Sequence, residues 1–333
     1  MLLLDIKNMT IKLTGVGNTI RAVDRVNLSI KEGEVHGLVG ESGSGKSLIA
    51  KAIVSILHQR WEVTADRLQW CGQDLLQLSD KKRRQILSRD IAMIYQEPSR
   101  CLDPTATMTV QLEESIPGDQ LTGNFWQRRK QRKAMSIALL HKVGIKNHER
   151  CLNSYPHQLS EGDCQKIMIA MAIAKKPKLL IADEPTTSLE STTRAQVFRV
   201  LKKLNQLNNM SIMLISHDLS TLTDWTHSVS VLYCGQMVES GATEQVFKKP
   251  YHPYTQALIN AVPDFNHDLA HKSRLFALEG SIPTLQHLPI GCRLGPRCPN
   301  AQKECVKKPK STRDHHHSFS CHHPIDYVLR TIR

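Results

Sequence analysis

Five short runs along the chain are apolar with little polar alternation: Val35 to Val39, Ile91 to Tyr95, Leu179 to Ala182, Ile212 to Ile215 and Val229 to Tyr233. Runs of this kind suit strands covered on both faces, as in a parallel sheet. Helical stretches separate some of them, for example Lys46 to Leu57 and Gln165 to Lys175. The pattern predicts a doubly wound α/β core. The segment from about 99 to 156 differs: it is long, helix-permissive and free of a comparable apolar run. It carries the basic run Arg128, Arg129, Lys130, Arg132 and Lys133, and is predicted as a helical insertion. After Pro263 the composition shifts toward His, Pro and Cys. The expected division is therefore a core over 1–262 and a small extension over 263–333.

Composition narrows this picture. Of 333 residues, 40% are hydrophobic and 23% charged, which provides a globular core and not a disordered chain. Lys and Arg outnumber Asp and Glu by 44 to 31, a net charge of +13 that favours anionic partners. No apolar run approaches the ~18–20 residues that span a bilayer. The start, MLLLDIKN, lacks the basic and long apolar regions of a signal peptide. With no export signal, nine cysteines suggest a reduced compartment and no disulfide framework.

Phosphate chemistry is the strongest signal. Gly40, Glu41, Ser42, Gly43, Ser44, Gly45, Lys46 and Ser47 match G-x-x-x-x-G-K-[ST] directly after an apolar strand and before a helix. Glycines let the backbone curl so that successive N–H groups face an anion. The helix adds its positive end, Lys46 reaches the outer phosphates, and Ser47 offers its hydroxyl to Mg²⁺. Downstream, the run from Leu179 to Ala182 delivers Asp183 and Glu184 to a strand end. Asp183 reads as the Mg²⁺ partner and Glu184 as the general base that polarises the attacking water. Gln96 follows IAMIY and His217 follows IMLIS, both at carboxyl edges of strands, where open α/β sheets bind ligands.

In this order, the phosphate loop, Gln96, LSEGDCQ at 159–165, Asp183-Glu184 and His217 resemble ATP-binding cassette (ABC) proteins. The strings EGEVHGLVGESGSGKS, MIYQEP, YPHQLS, LLIADEPTTSL, LISHDL and KKPYHPYTQAL resemble more narrowly the ATPase subunits of oligopeptide and dipeptide transporters. LSEGDCQK, VLYCGQ, HPYTQALINAVPDF and LPIGCRLGPRCP are closest to Sap-type peptide systems. The resemblance implies a P-loop ABC ATPase cassette with a helical insertion that faces membrane subunits, and a Cys-rich C-terminal extension. It implies ATP and Mg²⁺ as ligands and ATP hydrolysis coupled to peptide translocation. Gln96 then senses the γ-phosphate and joins the Mg²⁺ shell, and His217 contacts the γ-phosphate. Implied partners are two membrane permease subunits, a second ATPase chain in a heterodimer and, indirectly, an external binding protein, with no nucleic acid. The expected location is the cytoplasmic face of the inner membrane. Sap-type systems are associated with peptides, including antimicrobial ones, and with polyamines. Rival readings are a soluble cassette acting on nucleic acid and a regulatory cassette with weak ATPase.

Three departures from the family pattern stand out. The signature LSGGQ becomes LSEGDCQ, so Glu161 stands for a glycine and Asp163 enters, while Ser160 and Gly162 remain to meet ATP held by a partner cassette. A carboxylate near a phosphate chain costs on the order of 1–4 kcal/mol, so the composite site using this signature is expected to be the weaker one. The aromatic residue that stacks on adenine is missing from residues 1–60, and Ile20 stands near its place. Glu190 replaces the Asp that commonly follows DEPT-x-x-L.

Cys292, Cys298, Cys305 and Cys321 lie in the extension. Four thiolates can complete a tetrahedral Zn²⁺ site or hold a [4Fe–4S] cluster, or remain free thiols. The spacing is not that of common paired zinc modules, and peptide-transporter subunits carry a similar pattern, which favours iron–sulfur. His315, His316, His317, His322 and His323 are alternative ligands. The helix predicted from Tyr254 to Ala261 carries no assigned chemistry.

Overall fold

A computed structural model describes residues 1–15, 20–187, 189–261 and 278–325. The expected boundary at 262/263 lies outside the described residues. The chain divides into two compact units, Met1–Gln77 with Ser216–Arg333, and Leu78–Ile215.

The first unit contains two sheets. One is antiparallel and lies outside the parallel pattern that the apolar runs predict: Leu2–Leu13 pairs with Ile20–Lys31 on one side and with Arg67–Trp70 on the other, and Trp61–Thr64 also pairs with it. Its alternation is legible in Ile20–Lys31, where Val26, Leu28 and Ile30 are buried between exposed Asn27, Ser29 and Lys31. Such period-two patterning buries one face of an antiparallel strand. The other sheet pairs Val35–Val39 with Ser228–Tyr233 in parallel, and Ser228–Tyr233 with Gln236–Ala242 antiparallel. The strands His317–Phe319 and Thr312–Asp314 of the extension continue it. Hence the core is not purely doubly wound. Its parallel strands come from the apolar runs, of which Val35–Val39 and Leu179–Asp183 are buried throughout and Ile91–Ile94 at its two ends, and antiparallel pairs accompany them.

The extension is held by a buried carboxylate. Glu239, 1% exposed, accepts from the backbone N–H groups of Tyr251 and His252 at 2.7 and 3.1 Å and faces His317 Nε2 at 2.7 Å. A buried carboxylate is tolerable only when its oxygens are met this way. Asp24 forms a second anchor: Lys308 and Gln236 donate to it at 2.6 and 2.9 Å, and Arg293 lies 3.8 Å away.

The second unit has the three parallel strands Ile91–Ile94, Leu179–Asp183 and Ser211–Ser216 in adjacent register. Between Pro98 and Asn153 the α-helices are Pro98–Cys101, Met108–Ser115, Phe125–Lys142 and His148–Asn153. Phe125–Lys142 begins with a full capping box, Asn124 accepting from the Gln127 N–H and Gln127 returning to the Asn124 N–H. Among the described residues no helix is long and apolar enough to cross a membrane.

Candidate functional site

The phosphate loop leaves strand Val35–Val39 and enters helix Lys46–Ile53. Gly45 caps that helix at φ 104°, a left-handed conformation that costs a side-chain-bearing residue energy. Helix Lys46–Ile53 has no acidic residue in its first turn, so its positive end is not neutralised from within. Lys46, only 4% exposed, donates from Nζ to the carbonyls of Gly40 and Glu41 at 2.7 and 2.9 Å. Ser44 Oγ lies 3.4 Å from the same ammonium. The loop is thus wound around its own cation, beside a helix start. These residues fit a phosphate chain.

Glu41 behaves differently from its neighbours. Its N–H donates to Tyr254 Oη at 2.8 Å, and its carboxylate takes a two-pronged interaction from Arg297 at 2.9 and 3.1 Å. Arg297 also reaches Tyr233 Oη at 3.3 Å and the Glu279 carbonyl at 3.1 Å. Hydrogen bonding to Glu41 raises the Arg297 pKa above its ordinary value. Burial pushes the Tyr254 phenol up and the Tyr233 phenol to about 12, so both remain neutral. Neither Tyr254 nor Arg297 was singled out in the sequence. The only signals were the HPY string and an Arg between two cysteines.

In the second unit, Leu179–Asp183 carries Asp183 to its end, 5% exposed. Glu184 follows at φ 47°, a strained position for a residue with a side chain. Its N–H donates to the Ile215 carbonyl at 3.0 Å, which fixes the turn. Its Oε2 accepts from Gln96 Nε2 at 3.1 Å and from Thr187 Oγ1 at 3.0 Å. The structure therefore brings Gln96 and Glu184 together.

Ser160 caps helix Glu161–Ile173 by accepting from the Asp163 N–H at 3.1 Å. Glu161 and Asp163 occupy that helix's first turn, where acids complement the dipole. Gly162 has a packing reason of its own, since a Cβ there would lie 2.7 Å from Thr193 Cγ2. In the first unit, His217 is exposed just beyond Ser211–Ser216, and Ile20 opens its strand opposite Leu13.

The cysteine expectation finds no ready ligand set. Among the described residues, no group of three or more His, Cys, Asp or Glu side chains is arranged to hold a metal ion. Burial raises the Cys321 thiol to about 12, with Cys292, Cys298 and Cys305 contributing as charged neighbours. The Cys292 N–H donates to the Cys305 carbonyl at 2.9 Å. The histidines are engaged separately: His317 with Glu239, His322 with the Lys307 carbonyl at 2.9 Å, and His323 with Glu304 at 3.3 Å.

Comparison with known proteins places these features. Residues 23–187 match the family described as ABC transporter, and residues 238–305 match the oligopeptide/dipeptide transporter C-terminal region. The chain is 52% identical over 324 residues to a peptide transport system ATP-binding protein, SapD, of Escherichia coli O6:H1, covering 97% of this chain and 98% of that one. It is 51% identical to the SapD protein of Haemophilus influenzae, covering 98% and 93%. It is 43% identical to the dipeptide transport ATP-binding protein DppD of Escherichia coli K12, covering 98% of each. A solved dimeric bacterial ABC transporter cassette superposes with TM-score 0.64 at 26% identity, covering 72% of this chain and 99% of that one. A post-hydrolysis cassette bound to ADP and Pi superposes with TM-score 0.61 at 27% identity, also covering 72% and 99%. The rival nucleic-acid reading gains nothing from these relatives. With a phosphate loop wound on Lys46 and a strand-end Glu184 held by Gln96, the chain belongs to the ABC transporter ATP-binding subunits of the oligopeptide/dipeptide type.

Proposed function

We propose that this ATPase subunit energises a peptide transporter of the Sap kind, and that its own phosphate loop drives the cycle. The observation that carries the hydrolytic reading is the Gln96–Glu184 hydrogen bond of 3.1 Å. It holds the expected general base in contact with the residue expected to sense the γ-phosphate. Backbone groups of Gly40 to Gly45, with Ser42 and Ser44, cradle the phosphates, and Lys46 neutralises the outer ones. Ser47, Gln96 and Asp183 are assigned to Mg²⁺, which offsets charge on the phosphate oxygens when bound. Glu184 orients and deprotonates the attacking water, a contribution of roughly 10²–10⁴-fold for a positioned base. His217 supports the γ-phosphate, and Ile20 supplies apolar contact to the adenine.

The assigned partners are two permease subunits, a second ATPase chain and, through the permease, an external binding protein, with this chain at the cytoplasmic face of the membrane. Similarity to SapD supports peptide cargo, and antimicrobial peptides or polyamines are the finer assignment. The insertion supports contact with membrane partners, because Phe125 and Trp126 are each 71% exposed at the start of its basic helix. Ser160 and Gly162 are assigned to ATP on the partner cassette. Cys292, Cys298, Cys305 and Cys321 are assigned a [4Fe–4S] cluster, with Zn²⁺ as the alternative. Anaerobic absorption spectra with metal analysis test this assignment.

The central test is Glu184→Gln in this chain alone, within the purified membrane complex. ATP hydrolysis should fall at least ~100-fold while ATP binding persists. Undiminished turnover would show that this phosphate loop does not drive the cycle.

A further inference from the structure

The loop that receives phosphate contains a carboxylate. Glu41 is the second residue of the phosphate loop, and its side chain is 28% exposed. An unpaired carboxylate at that position would repel the phosphates and compete with them for the cation that binds them. Arg297 meets it with both terminal nitrogens, at 2.9 and 3.1 Å, from a side chain only 7% exposed. Such a fork fixes orientation as well as charge, which a point cation does not. The guanidinium lies 5.8 Å from the centre of the Tyr233 ring, and that ring lies 4.7 Å from Tyr254. Tyr254, fully buried, accepts the Glu41 N–H at 2.8 Å and so fixes the backbone at the same residue.

We propose that Arg297 and Tyr254 are positioning residues of the nucleotide site, clamping Glu41 so that the phosphate loop is shaped and its second residue electrically neutral toward ATP. Arg297 ends the short turn Gly295–Arg297, between Cys292 and Cys298. The Cys-bearing extension is thereby a working part of the nucleotide site and not an appendage. Whatever orders the turn between these cysteines also sets the affinity of the loop.

This rests on the phosphate loop being the ATP site, so a control for that reading accompanies the test. The full-length chain is titrated with a fluorescent N-methylanthraniloyl ATP, with circular dichroism melts to verify folding. Arg297→Gln should weaken binding by about tenfold, because Glu41 is left uncompensated. Adding Glu41→Gln to Arg297→Gln should bring affinity back to within about threefold of wild type, since there is no longer a charge to neutralise. A merely structural Arg297 would not be rescued in this way. Arg297→Lys keeps the charge but loses the two-pronged fork, so its loss should be measurable, about threefold, and smaller than that of Arg297→Gln. Wild-type affinity in Arg297→Gln or in Arg297→Lys, or failure of Glu41→Gln to restore affinity, overturns the proposal. If Arg297→Gln does not fold, the Arg297→Lys arm decides. Lys46→Ala should abolish probe binding; if it does not, the assignment of the loop fails, independently of the clamp.

Discussion

Gln96 donates its side-chain amide to Glu184 Oε2 at 3.1 Å, and Thr187 Oγ1 donates to the same oxygen at 3.0 Å. The other carboxylate oxygen, Oε1, takes part in neither bond. Two donors on one oxygen hold the carboxylate's rotation, as a base that must aim at a water requires. Gln96→Ala should therefore lower ATP turnover by about tenfold, with a smaller loss of ATP affinity from its place in the Mg²⁺ shell, whereas Gln96→Glu should be worse for turnover because two carboxylates then face each other. Steady-state hydrolysis and equilibrium binding in the reconstituted complex separate the two effects. A loss confined to affinity would contradict the orienting role.

The acidic signature has two consequences of opposite sign. Glu161 and Asp163 stabilise the first turn of Glu161–Ile173, where acids interact favourably with the helix dipole by roughly 0.3–1 kcal/mol each. The same charges oppose an anionic phosphate brought to that helix end. Glu161→Gly should thus reduce the thermal stability of this chain slightly and raise ATP turnover of the complex. Unchanged turnover with lowered stability would mean that Glu161 serves only the helix.

Acid should weaken the first unit in two steps. Burial holds the His252 pKa down at about 4 despite Glu239 nearby, against an ordinary 6.5. The unfolded chain then binds a proton below about pH 6.5 that the native chain refuses, so stability falls as pH drops from about 6.5 to 4, by on the order of 3 kcal/mol. His252 also caps Pro253–Asn260 by accepting the Tyr254 N–H. His252→Asn keeps a capping side chain and should flatten this part of the urea-unfolding profile. Burial tends to raise the Asp24 pKa, but hydrogen bonds from Lys308 and Gln236 outweigh it and hold it at about 2, below the ordinary 3.8. That contribution is intact above about pH 4 and disappears as pH falls toward 2. Glu34 titrates in the same window, since its burial is outweighed by hydrogen bonds from His36 and Ser228 that hold it at about 2, so Asp24→Asn should reduce this second slope and leave the first.

Thiol reactivity should be graded. Burial raises Cys151 and Cys321 to about 12 and Cys164 to about 11, which leaves little thiolate at neutral pH, whereas Cys101 is exposed. Timed iodoacetamide labelling of the metal-free chain, read by mass spectrometry, should mark Cys101 well before these three. A metal-loaded extension should protect Cys292, Cys298, Cys305 and Cys321 together, and a chelator should release all four at once.

Local chemistry made much of the molecule legible from the sequence. The fully apolar runs became buried strands because a strand covered on both faces tolerates little polar alternation, and Val35–Val39 and Leu179–Asp183 are buried throughout. The phosphate loop could be read because its glycines, lysine and serine are contiguous and their conformational demands are local. The helix ending at Asn260 was also visible, one residue short of its expected end. The antiparallel sheet leaves little trace in the sequence because Leu2–Leu13 is interrupted by register shifts, including one between Ile6 and Met9, so its alternation is broken.

What the sequence determined by itself is the chemistry of contiguous residues: an anion-binding loop, a strand-end acid pair, and a run of thiols in a polar extension. Tertiary structure alone decided which distant groups complete them. Arg297 lies 256 residues from Glu41 and Tyr254 lies 213 residues from it, yet both bind that one loop residue. Gln96 lies 88 residues from Glu184 and meets its carboxylate. Pairings of that kind leave no periodic trace, because the energy that selects them comes from satisfying buried charge, and burial exists only once the chain has folded.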